Sequence, residues 1–155
     1  MKVRKPQAPD IDSFRALLKK YDLKATPQRI AVHTAMLALG HASADNVAEY
    51  ISKRGEAEVT VASVYNNLSL LADCGIYDRL MSSNSKMYFD VNTFPHLHIY
   101  DSHSHEFSDV IDDALVEMVA DHIRKKRFKG YTLERVDIQL VCRPSRKAAA
   151  RKGQR

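Results

Sequence analysis

Apolar residues recur at helical spacing in four successive segments of the first half of the chain. In "IDSFRALLKKY" they stand at positions 11, 14, 17, 18 and 21, which predicts an amphipathic helix. Thr26 is a favourable N-cap for a second helix, "PQRIAVHTAMLAL", which Gly40 ends. Ser43 caps a short third helix in "HASADNVAEYISKRG", and Thr60 caps a fourth in "EVTVASVYNNLSLLADCG".

The spacing of apolar residues changes from about 3.6 to 2 after the fourth helix. The segments "IYDRLMS" and "KMYFDV" are typical of strands, and the polar turn "SNS" joins them into a hairpin. Four helices and a hairpin favour a winged helix-turn-helix, in which residues near the start of the fourth helix enter the major groove. A generic small α+β domain has the same order of elements, so both interpretations stay open at this point.

The second half of the chain predicts another small domain with strands and one long helix. Strand "HLHIY", turn "DSHSH", strand "EFSDV", helix "IDDALVEMVADHIRKKRF" and strand "YTLERVDIQLVC" follow one another. Acidic residues begin the helix and basic residues end it, which suits the helix dipole. The predicted fold class is therefore α+β, and the long helix with the last strand could supply a dimer interface.

Charge and composition narrow the class of protein. The chain is 45% apolar and 28% charged, and neither a membrane span nor a signal peptide is evident, so we expect a cytoplasmic protein with no membrane partner. Residues 1–85 carry 11 Lys and Arg against 9 Asp and Glu, residues 86–142 carry 7 against 10, and residues 143–155 carry 6 against none. The net charge of +5 thus comes from the tail, and it does not by itself indicate DNA binding.

Histidine supplies the candidate chemistry, since four of the seven histidines lie within residues 96–105. His96 and His98 are two apart on a predicted strand, so their side chains project from one face. Imidazole together with carboxylate suits iron, manganese or zinc, although a solvated strand face would show the same spacing. The only cysteines, Cys74 and Cys142, are too far apart in sequence for a Cys-x-x-Cys zinc knuckle.

Several motifs in order and at matching spacing resemble the ferric uptake regulator superfamily. They are "LKATPQR", "HASADNVAEYI", "VTVASVYNNLSLLADCGI", "KMYFDVN", and "HLH" followed eleven residues later by an acid. The resemblance implies a transcriptional regulator, commonly a repressor, whose homodimer binds AT-rich inverted repeats in double-stranded DNA. It predicts a winged-helix domain at 1–83, a hinge at 84–86 and a dimerisation and metal-sensing domain at 87–142. A disordered basic tail is predicted at 143–155.

The resemblance also implies one regulatory metal site for each subunit, holding Fe²⁺, Mn²⁺ or Zn²⁺. Its ligand positions are occupied here by His41, Asp90, His96, His98 and Asp109. An ion shared between the domains could fix the hinge and so link metal to DNA spacing. Two aspartates in the set also resemble the peroxide-sensing branch, in which bound ferrous iron oxidises a ligand histidine.

This sequence departs from the family pattern at two places. The position of the first structural Cys-x-x-Cys pair reads "YDSH", so no cysteine-ligated structural zinc is expected, and Pro95 and Leu97 alter the second family site. These losses most resemble the iron response regulator branch, which responds to haem or iron. Haem would then be ligated by His96 and His98, and by His103 or His105 as further candidates.

For DNA contact, the resemblance indicates the start of the fourth helix and the segment before the second. Ser63 and Tyr65 would face the major groove, Asn66 stands where many relatives have Arg, and Lys24 and Arg29 would lie near the backbone or a narrow minor groove. Two other classes stay open: a His/carboxylate metalloenzyme, and a winged-helix scaffold that needs no metal. The chain has no HExxH motif and no catalytic triad, so we expect neither an enzyme nor a small-molecule substrate.

Overall fold

The computed structural model describes residues 8–145, and these form two compact units that divide between Phe94 and Pro95. The helices and strands of the first unit are, in chain order, α1 (Ile11–Lys20), α2 (Pro27–Leu39), β1 (His41–Ser43), α3 (Ala44–Arg54), α4 (Val61–Asp73), β2 (Asp78–Met81) and β3 (Met87–Asp90). Those of the second unit are β4 (Leu97–Asp101), β5 (Phe107–Val110), α5 (Asp113–Arg124) and β6 (Ile138–Cys142). The predicted α+β class is confirmed.

The four predicted helices of the first unit form, and their capping residues explain where they begin. The hydroxyl of Thr26 accepts a hydrogen bond from the backbone N–H of Arg29, and Ser43 and Thr60 each take part in a reciprocal capping box. The inner faces of the helices and the hairpin make one apolar core, whose fully buried members include Phe14, Leu18, Val32, Met36, Val47, Ile51, Val64, Leu68, Leu71 and Phe89.

The sheet of the first unit has three antiparallel strands in the order β1-β3-β2. The predicted hairpin is confirmed as β2 and β3, but the sequence did not indicate β1. This strand has only three residues and forms because Gly40, with φ of +73°, turns the chain from α2 onto the free edge of β3. It places His41 opposite Asp90.

The boundary between the units differs from the predicted one. The predicted hinge at 84–86 lies in the turn between β2 and β3, and the second domain predicted at 87–142 includes β3. Because β3 pairs with both β1 and β2, it belongs to the first unit, which extends to Phe94. The basic tail predicted at 143–155 lies outside the described residues from position 146 onward.

The second unit has a three-stranded sheet in the order β5-β4-β6, with β4 antiparallel to β5 and parallel to β6. The last strand is shorter than its alternating pattern predicted, since residues 131–137 have no regular structure and only Ile138–Cys142 pair with β4. Leu133 and Val136, which the pattern counted as strand positions, are exposed. No helix among residues 8–145 is long and apolar enough to cross a membrane.

Candidate metal and nucleic-acid sites

The first unit holds a histidine and an aspartate at the edge of its sheet. His41 begins β1 and Asp90 ends β3, and the strand register puts them opposite each other. The Nε2 atom of His41 lies 3.5 Å from Oδ1 of Asp90, whose carboxylate is fully buried. The backbone N–H of Asn92 donates a 2.8 Å hydrogen bond to the same oxygen, which helps to hold the buried carboxylate in one orientation.

The second unit holds a separate group of two histidines and one aspartate. His96 precedes β4 and His98 lies within it, while Leu97 between them is buried on the other face, as the "HLH" pattern predicted. Asp109 on β5 pairs in register with His98. Its Oδ1 atom lies 3.0 Å from Nε2 of His96 and 3.6 Å from Nε2 of His98.

Within each group, the separations fit neighbouring ligands of a transition-metal ion. With metal–ligand bonds of about 2.1 Å, neighbouring nitrogen and oxygen ligands of one ion lie roughly 3.0–3.5 Å apart. The His41–Asp90 distance and the two distances to Asp109 lie in or very near that range. Neutral imidazole and carboxylate oxygen suit iron, manganese and zinc, and the donor set therefore fits the predicted group of metals.

The two remaining candidate histidines lie in the turn between β4 and β5. His103 is exposed, and its backbone N–H donates a hydrogen bond to the carboxylate of Asp101. His105 has a positive φ of 60°, and its Nδ1 atom is hydrogen-bonded to the hydroxyl of Tyr100. Among the described residues, neither histidine lies with His96, His98 and Asp109 in a position to share a metal ion.

One histidine outside the predicted sites is buried in the first unit. The ring of His33 stacks on Phe14 with 3.9 Å between centroids, Nδ1 lies 2.6 Å from the hydroxyl of Tyr77, and Nε2 lies 2.7 Å from the carbonyl oxygen of Pro9. Burial lowers the pKa of His33, and the carbonyl of Pro9 offsets part of that effect. This side chain ties the start of α1 to the core, and it is a structural residue.

Three predicted DNA-contacting residues lie at the start of α4. Two of them are exposed, and the third is hydrogen-bonded within the helix cap. Tyr65 and Asn66 are exposed, which agrees with the expectation that Tyr65 lies off the buried face. The hydroxyl of Ser63 donates to the carbonyl of Thr60 and accepts from its backbone N–H, so it closes the helix cap. The hydroxyl proton and the backbone N–H of Ser63 are thus both used inside the cap, and Ser63 can donate to a phosphate oxygen only if one of these bonds is given up.

The predicted cations before and within α2 are in contact with each other. Arg29 donates from Nη1 to the carbonyl oxygen of Lys24 at 2.7 Å, while its Nε atom is buried without a hydrogen-bond partner. The side chain of Lys24 is exposed. Lys24 is thus the cation presented to solvent, and Arg29 shapes the loop that carries it.

Sequence reasoning did not single out the residues that fasten the hairpin to α4. Phe89 of β3 meets Tyr65 edge to face, with 6.2 Å between ring centroids. Arg79 of β2 donates from Nη2 to the carbonyl of Ser69 and to the carboxylate of Asp73. The alternating pattern of each strand was visible in the sequence, but the register that makes Arg79 and Phe89 cross-strand neighbours was not.

The amino-acid sequence is similar to those of known proteins. The profile of the ferric uptake regulator family matches residues 20–140. The peroxide-responsive repressor PerR of Staphylococcus epidermidis is 30% identical over 137 residues, which cover 86% of this chain and 89% of that protein. PerR of Staphylococcus aureus is 28% identical over the same length, covering 86% of this chain and 90% of that protein.

Solved structures share the fold. The ferric uptake regulator of Vibrio cholerae superposes with a TM-score of 0.71 at 22% identity, covering 84% of this chain and 99% of that one. The peroxide stress regulator of Campylobacter jejuni superposes with a TM-score of 0.62 at 25% identity, covering 85% and 96%.

Proposed function

The chain belongs to the ferric uptake regulator family, and we propose that it is a dimeric repressor of iron-homeostasis genes that binds AT-rich inverted repeats. Members of this family are metal-responsive regulators of transcription, not enzymes. The observation that carries the proposal is the spacing of His96, His98 and Asp109, which fits a metal ion in a chain whose α4 exposes Tyr65. A regulator of this kind acts where the genome is, in the cytoplasm of a bacterial cell.

We infer that His41, Asp90, His96, His98 and Asp109 hold one divalent ion in each subunit. The pair in the first unit and the trio in the second each have ligand-like spacing. Only six residue steps separate Asp90 from His96, so the chain between them spans at most about 22 Å. Five ligands complete a coordination sphere that neither group fills alone, and such an ion supplies positive charge to the buried carboxylate.

Metal and DNA binding would then be linked through the arrangement of the two units. An ion that needs ligands from both units favours the arrangement in which those ligands converge. In a dimer, the arrangement sets the distance between the two α4 helices and hence the fit to two half-sites of an inverted repeat. By reciprocity, the DNA repeat would raise the affinity of the protein for the ion by the same factor.

The test is fluorescence anisotropy with a labelled AT-rich inverted repeat. Metal-stripped protein is titrated first, and the titration is repeated with Fe²⁺, with Mn²⁺, with Zn²⁺ and with haem. Tighter binding with a divalent ion, lost in His96→Ala with His98→Ala, is the expected result. For the divalent ions, His103→Ala is the matched control, because it removes an exposed histidine that is not among the five proposed metal ligands. Equal binding by stripped and loaded protein would overturn the proposal.

A peroxide-sensing role at the same site is the second candidate, and the PerR relatives favour it. Bound Fe²⁺ would then react with peroxide, and a ligand histidine would gain an oxygen atom. Peptide mass mapping after peroxide treatment of Fe²⁺-loaded protein would find that oxygen on His41, His96 or His98, with the Mn²⁺-loaded protein as control. Unmodified histidines, with DNA affinity unchanged by peroxide, would exclude this role.

Within the family, we propose that the chain belongs to the branch that resembles the iron response regulator and lacks a cysteine-ligated structural zinc. Its two cysteines, Cys74 and Cys142, support this placement, since neither forms a Cys-x-x-Cys pair. In that branch haem would act through His96 and His98, with His103 or His105 as further ligands. A haem Soret band that shifts in His96→Ala and His98→Ala, together with release of DNA by haem, is the expected result. Stoichiometric zinc that resists chelators would contradict the placement.

A further inference from the structure

Strand β3 of the first unit carries a candidate metal ligand, Asp90, next to a core residue, Phe89. Asp90 and Phe89 are adjacent on β3, and neighbouring side chains of a strand project to opposite faces. The carboxylate of Asp90 is directed to His41, whereas the ring of Phe89 is fully buried in the apolar core. The candidate metal ligand and the core residue are therefore joined by a single peptide unit of a strand that is paired on both sides.

The face of the hairpin that carries Phe89 is fastened to α4 at two points. The ring of Phe89 meets Tyr65 edge to face at 6.2 Å. Its cross-strand neighbour Arg79 holds the carbonyl of Ser69 at 3.0 Å and the carboxylate of Asp73 at 2.8 Å. These contacts are made at Tyr65, Ser69 and Asp73, so they join the strand pair to α4 from its first turns to its end.

Tyr65 is partly exposed to solvent and partly packed against the hairpin. The residue is 44% exposed, which leaves part of it free to meet a base edge, while its ring rests on Phe89. Aromatic pairs have preferred edge-to-face geometry, so a shift of Phe89 changes the preferred position of the tyrosine ring. The position of a side chain that contacts bases is thereby tied to the end of β3.

We propose that Phe89 is a positioning residue that couples the His41–Asp90 pair to Tyr65, an inference that rests on the proposed function. Ligation at Asp90 fixes the end of β3, and Phe89 transmits that position to the side chain at the start of α4. The route lies wholly within the first unit. It acts in addition to any rearrangement of the two units. It predicts that part of the effect of metal on DNA affinity depends on the ring of Phe89.

The experiment compares how far Mn²⁺ improves DNA binding in the wild type, in Phe89→Leu and in Phe14→Leu. Leucine keeps an apolar side chain in the core but removes the ring edge. Phe14 is the matched control, because it is another fully buried ring of the same unit that stacks on His33 rather than on α4. Mn²⁺ affinity of each free protein is measured by electron paramagnetic resonance of unbound Mn²⁺.

We expect Mn²⁺ to improve DNA binding at least about tenfold in the wild type and in Phe14→Leu. In Phe89→Leu we expect an improvement of less than about threefold, although the variant still binds Mn²⁺. A full improvement in Phe89→Leu, or an equal loss in Phe14→Leu, overturns the inference and leaves the proposed function intact. If no metal changes the DNA affinity of the wild type, the proposed function is overturned, and the inference that rests on it is overturned as well.

A spectroscopic test needs no substitution of Phe89 and so does not depend on the folding of that variant. The seven tyrosines are replaced by 3-fluorotyrosine, and Tyr65→Phe assigns the ¹⁹F resonance of Tyr65. Zn²⁺ is the probe, since it is diamagnetic. We expect saturating Zn²⁺ to shift the Tyr65 resonance and to leave that of Tyr21, at the end of α1, in place. A Tyr65 resonance that stays unchanged at full Zn²⁺ occupancy overturns the coupling.

Discussion

The two units differ in how much of their apolar surface they bury. The helices of the first unit each contribute fully buried residues to one core, whereas α5 of the second unit has no buried residue. Large apolar side chains stay exposed in the second unit, among them Met118, Phe128, Tyr131, Leu133, Leu140 and Val141. Each helix of the first unit thus packs against a core, while α5 and the exposed apolar side chains of the second unit offer a surface that a proposed dimer would cover.

The largest expected difference between the two units is the loss of unfolding free energy when a leucine is truncated. Leu68→Ala removes a fully buried side chain of α4, and we expect the free energy of unfolding to fall by about 2–5 kcal/mol. Leu140→Ala in β6 truncates an exposed side chain and should cost less than about 1 kcal/mol. Urea unfolding, at concentrations below those at which the chain self-associates, measures both. Equal losses would mean that the difference in burial between the units has no energetic consequence.

The next largest expected effect is a loss of dimerisation when charges are placed on the exposed apolar surface of the second unit. Met118→Glu with Val141→Glu puts charges on side chains that are 62% and 66% exposed, and charges are unfavourable in a buried interface. We expect the dimer dissociation constant to rise at least about 100-fold, which is about 2.7 kcal/mol. Sedimentation velocity measures it.

Met81→Glu is the control for this substitution. Met81 is 72% exposed but belongs to the hairpin of the first unit. Unchanged dimerisation in Met81→Glu, with loss in the double variant, would assign the dimer interface to the second unit. A double variant that remains a dimer would show that the exposed surface of the second unit has another role.

Tyr65→Ala tests the exposed side of the first unit. The ring is partly exposed on α4, and the loss of one base contact should weaken binding to an AT-rich repeat by about 10- to 100-fold, without changing dimerisation. Fluorescence anisotropy in a series of salt concentrations separates this loss from that of phosphate contacts. Tyr21→Ala is the control, since Tyr21 has similar exposure at the end of α1. Tight binding by Tyr65→Ala would exclude it as a base-contacting residue.

The smallest expected effect is a pH dependence that belongs to the first unit. The lowered pKa of His33 means that the unfolded chain takes up its proton first as the pH falls. Stability that is present above pH 7 should therefore decline below about pH 6.5, by at most about 1.4 kcal/mol per pH unit. The difference between wild type and His33→Gln in urea unfolding at pH 8 and pH 5.5 isolates this effect. An identical difference at both pH values would contradict it.

Local sequence signals predicted most of the first unit correctly. Thr26, Ser43 and Thr60 cap helices where they were expected, because a capping side chain satisfies backbone N–H groups only a few residues away. The hairpin was predicted because its two strands alternate and are joined by a short polar turn. Such features depend on neighbouring residues alone and are therefore readable without the fold.

Features that depend on pairing across the chain were missed. The strand at His41 is too short to have a pattern of its own and exists because β3 offers it an edge. The segment of residues 131–137 alternates well enough to predict a strand, yet only Ile138–Cys142 find a partner in β4. The predicted hinge at 84–86 falls inside the β2–β3 hairpin, and pairing on both sides places β3 in the first compact unit.

The sequence by itself determined the chemical types of the candidate ligands, and their order along the chain gave the family resemblance. It also determined that His96 and His98 share one face, since alternation along a strand is a local property. Only the tertiary structure decided that Asp109 lies 3.0 Å from His96, and that Phe89 supports Tyr65. Those distances come from strand register and helix packing, which are set by many weak contacts between distant segments.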